Sequence, residues 1–168
     1  MGIEDLTTDV ETEDDGLIER FNVKGLAKPL GHYKYVCAVR KGTKDTPIGW
    51  DFKIAGIVPL DEAGNLVGNT YSEQTEQVVR NIATVIMGAA THYGLNWGWE
   101  EALRHVTETM VRLDSMTGFE DVDEVYAKYG MPRASREAEG AFELPLKKKG
   151  VRIEVKSYAT IPALPKIE

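Results

Sequence analysis

Two residues near the C-terminal end of the chain are of the right type and spacing to act on one small anion. Arg136 precedes a strand-like run that ends at Leu144-Pro145, and Glu154 lies in the next strand-like run, 151–155. We expect the two runs to pair as a hairpin across a Lys/Gly turn. A guanidinium binds a carboxylate through two charge-assisted hydrogen bonds, and a carboxylate can position a water molecule. The alternative interpretation is an exposed salt bridge on an ordinary hairpin.

Other reactive side chains form no recognisable motif. His32, His92 and His105 are scattered, without an i, i+4 pair or a cysteine partner, so we expect no metal site. The sequence has no phosphate-binding glycine loop and no GxSxG motif, and we expect no cofactor. Cys37 is the only cysteine. It therefore has no intramolecular disulfide partner, and we interpret it as a small buried hydrophobe.

The tryptophans are interpreted as packing or subunit contacts rather than as a platform for stacking bases. The pair in Trp97-Gly98-Trp99 is unusual enough to suggest the wall of a pocket or of an interface.

A net charge of −7 argues against nucleic acid as a partner, because a phosphate-backbone binder needs a basic face.

The length of 168 residues predicts one domain. Residues 1–20 are acidic and poor in apolar residues, so we expect a mobile extension or a strap, followed by a single domain over 21–168. The N-terminus does not resemble a signal peptide, and no apolar run approaches the roughly 18 residues that span a membrane. We therefore expect a cytoplasmic protein without a membrane partner.

The clearest local element is a helix from near Ser72 to near Gly94. Ser72 is a candidate N-cap. Apolar residues recur on one face of this helix at Val78, Ile82, Val85, Ile86 and Ala89. Such a face is most simply buried against an antiparallel sheet.

The remaining elements complete an α+β order, ββ-α-β-α-ββ. Residues 102–113 fit a helix or a strand, and we favour a strand after a short helical turn at 99–102. The other predicted elements are strands at 32–39 and 50–58, a second helix over 119–129, and the two C-terminal strands.

In this order the chain resembles the Rid/YjgF family of enamine and imine deaminases, from about residue 28 to residue 162. The family's helix signature is approximated by residues 74–82 and its second short helix by residues 119–126. Its closing block is an arginine followed eight residues later by Leu-Pro and then by a V-x-I-E strand. That block is matched by Arg136, by Leu144-Pro145 and by residues 151–154.

The resemblance implies a chorismate-mutase-like fold, an antiparallel-rich sheet covered by two helices. It also implies a homotrimer with a site in each cleft between subunits. In the family, the arginine aligned with Arg136 pairs with the substrate carboxylate, and the glutamate aligned with Glu154 positions or activates the water. The tyrosine of the family's G-x-Y segment falls on Tyr33.

Several positions depart from the family pattern. The family's S-G-Q strand end reads Ala55-Gly56-Ile57 here, and the cysteine often found two residues after the arginine is Ala138. Arg133 is a possible second cation, and backbone groups near Gly56 and Ala138 are expected to line the pocket. Fewer polar groups favour a larger or flatter substrate, and residues 28–33 resemble the 2-aminomuconate deaminase branch.

The resemblance therefore predicts a hydrolytic deaminase that releases ammonia from a carboxylate-bearing enamine or imine. Two alternatives stay open, a regulatory trimer that binds a small carboxylate without turnover and a lyase or hydrolase of another anionic ring. Members of the family are also labelled endoribonucleases. The charge of −7 makes RNA a poor substrate for this chain.

Overall fold

A seven-stranded sheet and three α-helices make up the computed structural model, which describes residues 2–131 and 134–164. The strands are Thr7–Glu13 (β1), Ile18–Val23 (β2), Val36–Gly42 (β3), Pro47–Ile57 (β4), Val106–Leu113 (β5), Ser135–Gly140 (β6) and Ile153–Pro162 (β7). The helices are Tyr71–His92 (α1), Trp99–Arg104 (α2) and Phe119–Lys128 (α3). The strand order is β1-β2-β3-β4-β7-β5-β6, and only β5 and β6 run parallel.

From β3 onward the element order is the one predicted, and the α+β fold class is confirmed. The short helical turn is α2. Residues 102–113, which fitted a helix or a strand, belong to both elements: α2 ends at Arg104 and β5 begins at Val106. None of the helices in the described part of the chain has the length and apolar content needed to cross a bilayer.

Helix α1 buries the face that the sequence predicted. Val78, Ile82 and Ile86 are fully inaccessible to solvent. Its N-cap is Thr70, however, and the prediction of Ser72 was wrong. Thr70 accepts a hydrogen bond from the backbone N–H of Glu73, whose carboxylate accepts one in return from the Thr70 N–H. This capping box begins the helix two residues earlier.

The N-terminal segment, expected to be a mobile extension or a strap, instead forms strands of the sheet. Strands β1 and β2 form an antiparallel hairpin, and β2 continues the main sheet by pairing with β3. Phe21 and Val23 of β2 are buried, whereas most β1 side chains are exposed at the edge of the sheet. An exposed edge strand needs few apolar residues, so its composition resembles that of an extension.

The predicted C-terminal hairpin was also wrong. Strand β5 lies between β6 and β7, so β6 and β7 do not pair. β5, α3 and β6 form a β-α-β unit, whose two strands run parallel and adjacent because the helix carries the chain back across the sheet. The last strand, β7, then inserts between β4 and β5.

Candidate active site

The two faces of the sheet carry different chemistry at β5. Thr109, Val111 and Leu113 are buried on the side that the helices cover. Met110 and Arg112 alternate with them and therefore point to the opposite side. The strands that flank β5 follow the same division, so each predicted site residue can be assigned to one face.

Arg136 lies on the helix side of the sheet. It is opposite Thr109 in the β5–β6 pairing, and its Nη2 forms an ion pair with Asp123 of α3. The guanidinium carbon lies 5.7 Å from the ring centre of Phe119 and 5.2 Å from that of Tyr126. These contacts hold α3 against the edge strand β6.

Glu154 lies on the opposite side, beside Arg112. The two residues are partners in the β5–β7 pairing, and Arg112 Nη1 is 3.6 Å from Glu154 Oε1. Arg112 Nε donates a 3.0 Å hydrogen bond to Oε1 of Glu139 in β6. The side chain of Glu154 is 15% exposed and that of Arg112 is 42% exposed. The arginine can therefore meet a ligand while the glutamate stays largely shielded.

Sequence reasoning missed Arg112. The sequence does contain a signal for it, because Arg112 is a charged residue between two apolar residues of a strand, Val111 and Leu113, which are both buried. Such a position is typical of a charged side chain on the opposite face of a strand. The family block drew attention to Arg136 instead.

Gly56 brings the backbone of β4 against Glu154. A β-bulge interrupts the β4–β7 pairing between Ile54 and Ile57. A Cβ atom built on Gly56 would lie 2.7 Å from both Cδ and Oε2 of Glu154. The absence of a side chain at Gly56 is what allows the carboxylate to occupy this place.

Tyr33 shares a small cavity with this bulge. The cavity, of about 10 Å³, is lined by Tyr33, Tyr35, Gly56 and Ile57, together with residues of the 26–30 segment and of α1. That volume is at the lower limit for a single water molecule. The Tyr33 ring meets the Tyr35 ring edge-on at 6.4 Å and is 41% exposed. The structure thus brings Tyr33, Gly56 and Ile57 together, with Glu154 against Gly56.

Tyr35 is held as a neutral hydroxyl in the wall of this cavity. It donates a 2.8 Å hydrogen bond to the carbonyl oxygen of Ala27. Burial, with a smaller contribution from Tyr33, raises the pKa of Tyr35 to about 12. Near neutral pH this side chain is a hydrogen-bonding and packing group rather than a base.

A larger groove opens on the other side of Tyr33. It has a volume of about 600 Å³ and lies between the β1–β2 hairpin and the segment that precedes β3. Its lining is of mixed charge, with Arg20, Lys28, His32 and Lys34 beside Asp9 and Glu11. Arg20 pairs with Glu13 and Lys34 with Glu11, so much of the positive charge is already balanced.

Ala138, like Arg136, lies apart from Glu154. It is opposite Val111 in the β5–β6 pairing and packs against the core on the helix side. Ala55 lies in the bulge of β4 beside Gly56, and its N–H donates to the carbonyl oxygen of Tyr35 at 2.9 Å. Arg133 lies outside the described residues.

Within the described ranges, no group of three His, Cys, Asp or Glu side chains is close enough to hold a metal ion.

Comparison with known proteins gives consistent similarities. The sequence profile of the family described as Endoribonuclease L-PSP matches residues 32–161. A RutC family protein from Pyrococcus horikoshii is 32% identical over 134 residues, which are 79% of this chain and 89% of that protein. The chloroplastic Reactive Intermediate Deaminase A of Arabidopsis thaliana is 29% identical over 109 residues, which are 64% of this chain. Those residues span half the length of the chloroplast protein.

Solved structures share the fold at lower identity. The crystal structure of RidA from the Antarctic bacterium Psychrobacter sp. PAMC 21119 superposes with a TM-score of 0.62 at 22% sequence identity. The match covers 89% of this chain and 98% of that one. The arrangement of sheet and helices is therefore shared with that protein over nearly its whole length.

Proposed function

Because the chain belongs to the family described as Endoribonuclease L-PSP, the Rid/YjgF family, we propose that it is a hydrolytic deaminase of carboxylate-bearing imines and enamines. The observation that carries the proposal is the placement of Glu154, which lies between the Gly56 backbone and the guanidinium of Arg112. A shielded carboxylate next to an accessible cation suits a reaction in which water is added to a small anion.

Arg112 is the group that we assign to the substrate carboxylate. Its side chain is accessible, and Glu139 and Glu154 contact only Nε and Nη1 of the guanidinium, which carries five N–H donors. A substrate carboxylate can therefore bind the remaining N–H groups in a charge-assisted contact. The role predicted for Arg136 remains the alternative, and mutation of each arginine distinguishes the two.

Glu154 is the group that we assign to the water. The enamine first tautomerises to the imine, whose carbon is electrophilic. Water adds to that carbon while Glu154 accepts a proton from the water and the imine nitrogen takes up a proton from solvent, which gives the carbinolamine. Glu154 then returns its proton to the amine nitrogen. The C–N bond breaks, ammonia leaves, and the hydroxyl group loses its proton to solvent as the carbonyl product forms. Each turnover consumes one water and releases one ammonia, with no net change at Glu154.

The residues near Gly56 support one class of substrate. Ala55 and Ile57 stand where the family places a hydroxyl and an amide, and the Ile57 side chain is buried opposite Val155. This end of β4 therefore offers few polar side-chain partners, which favours an extended or ring-derived acid such as 2-aminomuconate over a small polar one. Tyr33 lines both the small cavity beside Gly56 and the larger groove, and we assign it to substrate positioning.

A homotrimer with a site in each cleft between subunits belongs to the same proposal. Glu154, Arg112 and Glu139 are carried on the sheet face that points away from the helices, where a neighbouring subunit could complete a cleft. Light scattering after gel filtration tests this point. We expect three times the chain mass of 18.7 kDa, and a monomer at the concentrations used for assay would contradict it.

The deciding experiment measures ammonia release from 2-aminoacrylate, generated in situ, and from 2-aminomuconate, each against the spontaneous rate. We expect acceleration with at least one substrate. Glu154→Gln should lower kcat by about 100-fold or more, since it removes the proton acceptor. The matched control is Glu143→Gln, which changes an exposed glutamate in the loop after β6. No acceleration with either substrate, or an unchanged rate in Glu154→Gln, would overturn the proposal.

The second candidate function is a regulatory protein that binds a small carboxylate without turnover. The loss of a hydroxyl and an amide at Ala55 and Ile57 favours it. It predicts saturable binding of pyruvate or a similar acid that depends on an arginine and is the same in Glu154→Gln.

A further inference from the structure

A second concave surface lies among the helices and shares no residue with the candidate active site. It is a groove of about 420 Å³ between α1, α2 and the end of α3. Its lining consists of Val79, Arg80, Ala83, Thr84, Met87, Trp99, Leu103 and Tyr129. A volume of this size is within the range of small-molecule binding sites.

The floor and walls of this helical groove are apolar. Val79 and Leu103 are buried at its base, and Trp99 and Tyr129 meet edge to face with ring centres 5.7 Å apart. Trp99 is nevertheless 45% exposed, which is a large aromatic surface to leave in water. An aromatic wall that stands open to solvent favours a ligand with a flat or extended apolar part.

The single charged residue of the lining is Arg80. Its side chain is exposed, and within residues 2–131 and 134–164 it makes no ion pair. The neighbouring cation, Lys128, is already engaged by Glu76 at 2.7 Å and lies 5.4 Å from the ring centre of Tyr129. Arg80 therefore adds a positive charge without an ion-pair contact at the edge of an apolar surface, one turn of α1 after Glu76.

We propose that the helical groove binds an amphipathic carboxylate, an aromatic or medium-chain aliphatic acid. Its apolar part lies against Trp99, Leu103 and Met87, and its carboxylate meets the guanidinium of Arg80. One cation beside an apolar cavity matches one anionic group on an apolar body, and the planar fork of arginine suits a carboxylate. The site is distinct from the sheet face that carries Glu154 and does not depend on turnover there.

Isothermal titration calorimetry with 4-phenylbutyrate and its neutral analogue 4-phenylbutanamide tests the proposal. We expect the acid to bind about tenfold more tightly than the amide, because one charge-assisted contact contributes roughly that factor. Arg80→Gln should weaken the acid about tenfold and leave the amide unchanged. Trp99→Ala should weaken both ligands. Tryptophan fluorescence of the wild-type protein should change on binding, since Trp99 is in the wall.

The matched control is Arg104→Gln. Arg104 is also an exposed arginine, but it lies on α2 outside the lining and pairs with Glu101 at 3.2 Å. This variant should bind the acid like the wild type. Three results would overturn the proposal: no saturable binding of the acid, equal affinity for acid and amide, or loss of acid binding in Glu154→Gln with Arg80→Gln unaffected. The last result would place the acid in the candidate active site.

Discussion

Arg136 and Glu154 lie on opposite faces of the sheet, on strands that β5 separates. Arg136 is opposite Thr109, which is buried under the helices, and Glu154 is opposite Arg112, three residues further along β5. Residues an odd number apart in a strand point to opposite sides. The two side chains that sequence spacing suggested as partners therefore do not meet within the chain, and Arg112 is the guanidinium beside Glu154.

The two arginines should respond differently to mutation. Arg112→Gln is expected to lower kcat/KM for an imine acid by about 10- to 100-fold, the factor of a lost charge-assisted contact. It should leave the urea midpoint nearly unchanged. Arg136→Gln should instead lower the free energy of unfolding by about 1 kcal/mol, because it removes the contacts with Asp123 and two aromatic rings. The reverse pattern would support Arg136 as the substrate-binding residue.

Gly56→Ala should inactivate the protein more than it destabilises it. The added methyl group would stand 2.7 Å from the Glu154 carboxylate, and the end of that side chain can move aside. We expect the rate of ammonia release to fall by at least about tenfold, because a displaced Glu154 no longer lies within hydrogen-bond distance of the reacting water. Gly98→Ala is the matched control, because nothing lies within 4 Å of its Cβ position. Equal activities in the two variants would contradict the assigned place of Glu154.

His92 makes the stability of the protein depend on pH. Its Nε2 is 3.1 Å from Glu19 and its Nδ1 is 2.9 Å from Asp5, which ties the end of α1 to the N-terminal segment. The hydrogen bond with Glu19, helped by Asp5 and opposed by burial, raises the pKa of His92. The same contact lowers the pKa of Glu19.

The sign of the His92 effect follows from these two directions. A raised histidine pKa adds stability that is complete below the unfolded value of about 6.5 and is lost as pH rises through the folded pKa. The pKa of Glu19 is lowered in the folded protein, so the stability that its carboxylate contributes is lost as pH falls through that pKa. His92→Gln should therefore cost about 1–2 kcal/mol near pH 5.5 and much less near pH 9, as measured by urea unfolding. His32→Gln serves as the exposed control, and a pH-independent cost would refute the assignment.

The start of α1 is testable by a pair of neighbouring substitutions. Thr70→Ala removes the hydroxyl that accepts the Glu73 N–H at 3.1 Å and should cost about 1 kcal/mol of unfolding free energy. Ser72→Ala, inside the first turn, should be nearly neutral. A larger loss in Ser72→Ala than in Thr70→Ala would contradict the observed cap.

The sequence by itself determined the elements whose signal is local. The apolar face of α1, the extent of α3 and the strand character of 106–113 were readable because each pattern repeats along one segment. The resemblance to the family extended that prediction to the overall fold. It also gave Glu154 and Gly56 as candidate site residues, and the structure places these two side by side.

Only the tertiary structure decided which strands are neighbours and which face each side chain occupies. Pairing joins segments far apart in the sequence, and a shift of one residue reverses the face. For that reason Arg136 came to lie under α3, Arg112 took the place beside Glu154, and a polar N-terminal segment became the edge of the sheet. The helical groove around Trp99 likewise exists only once three helices meet.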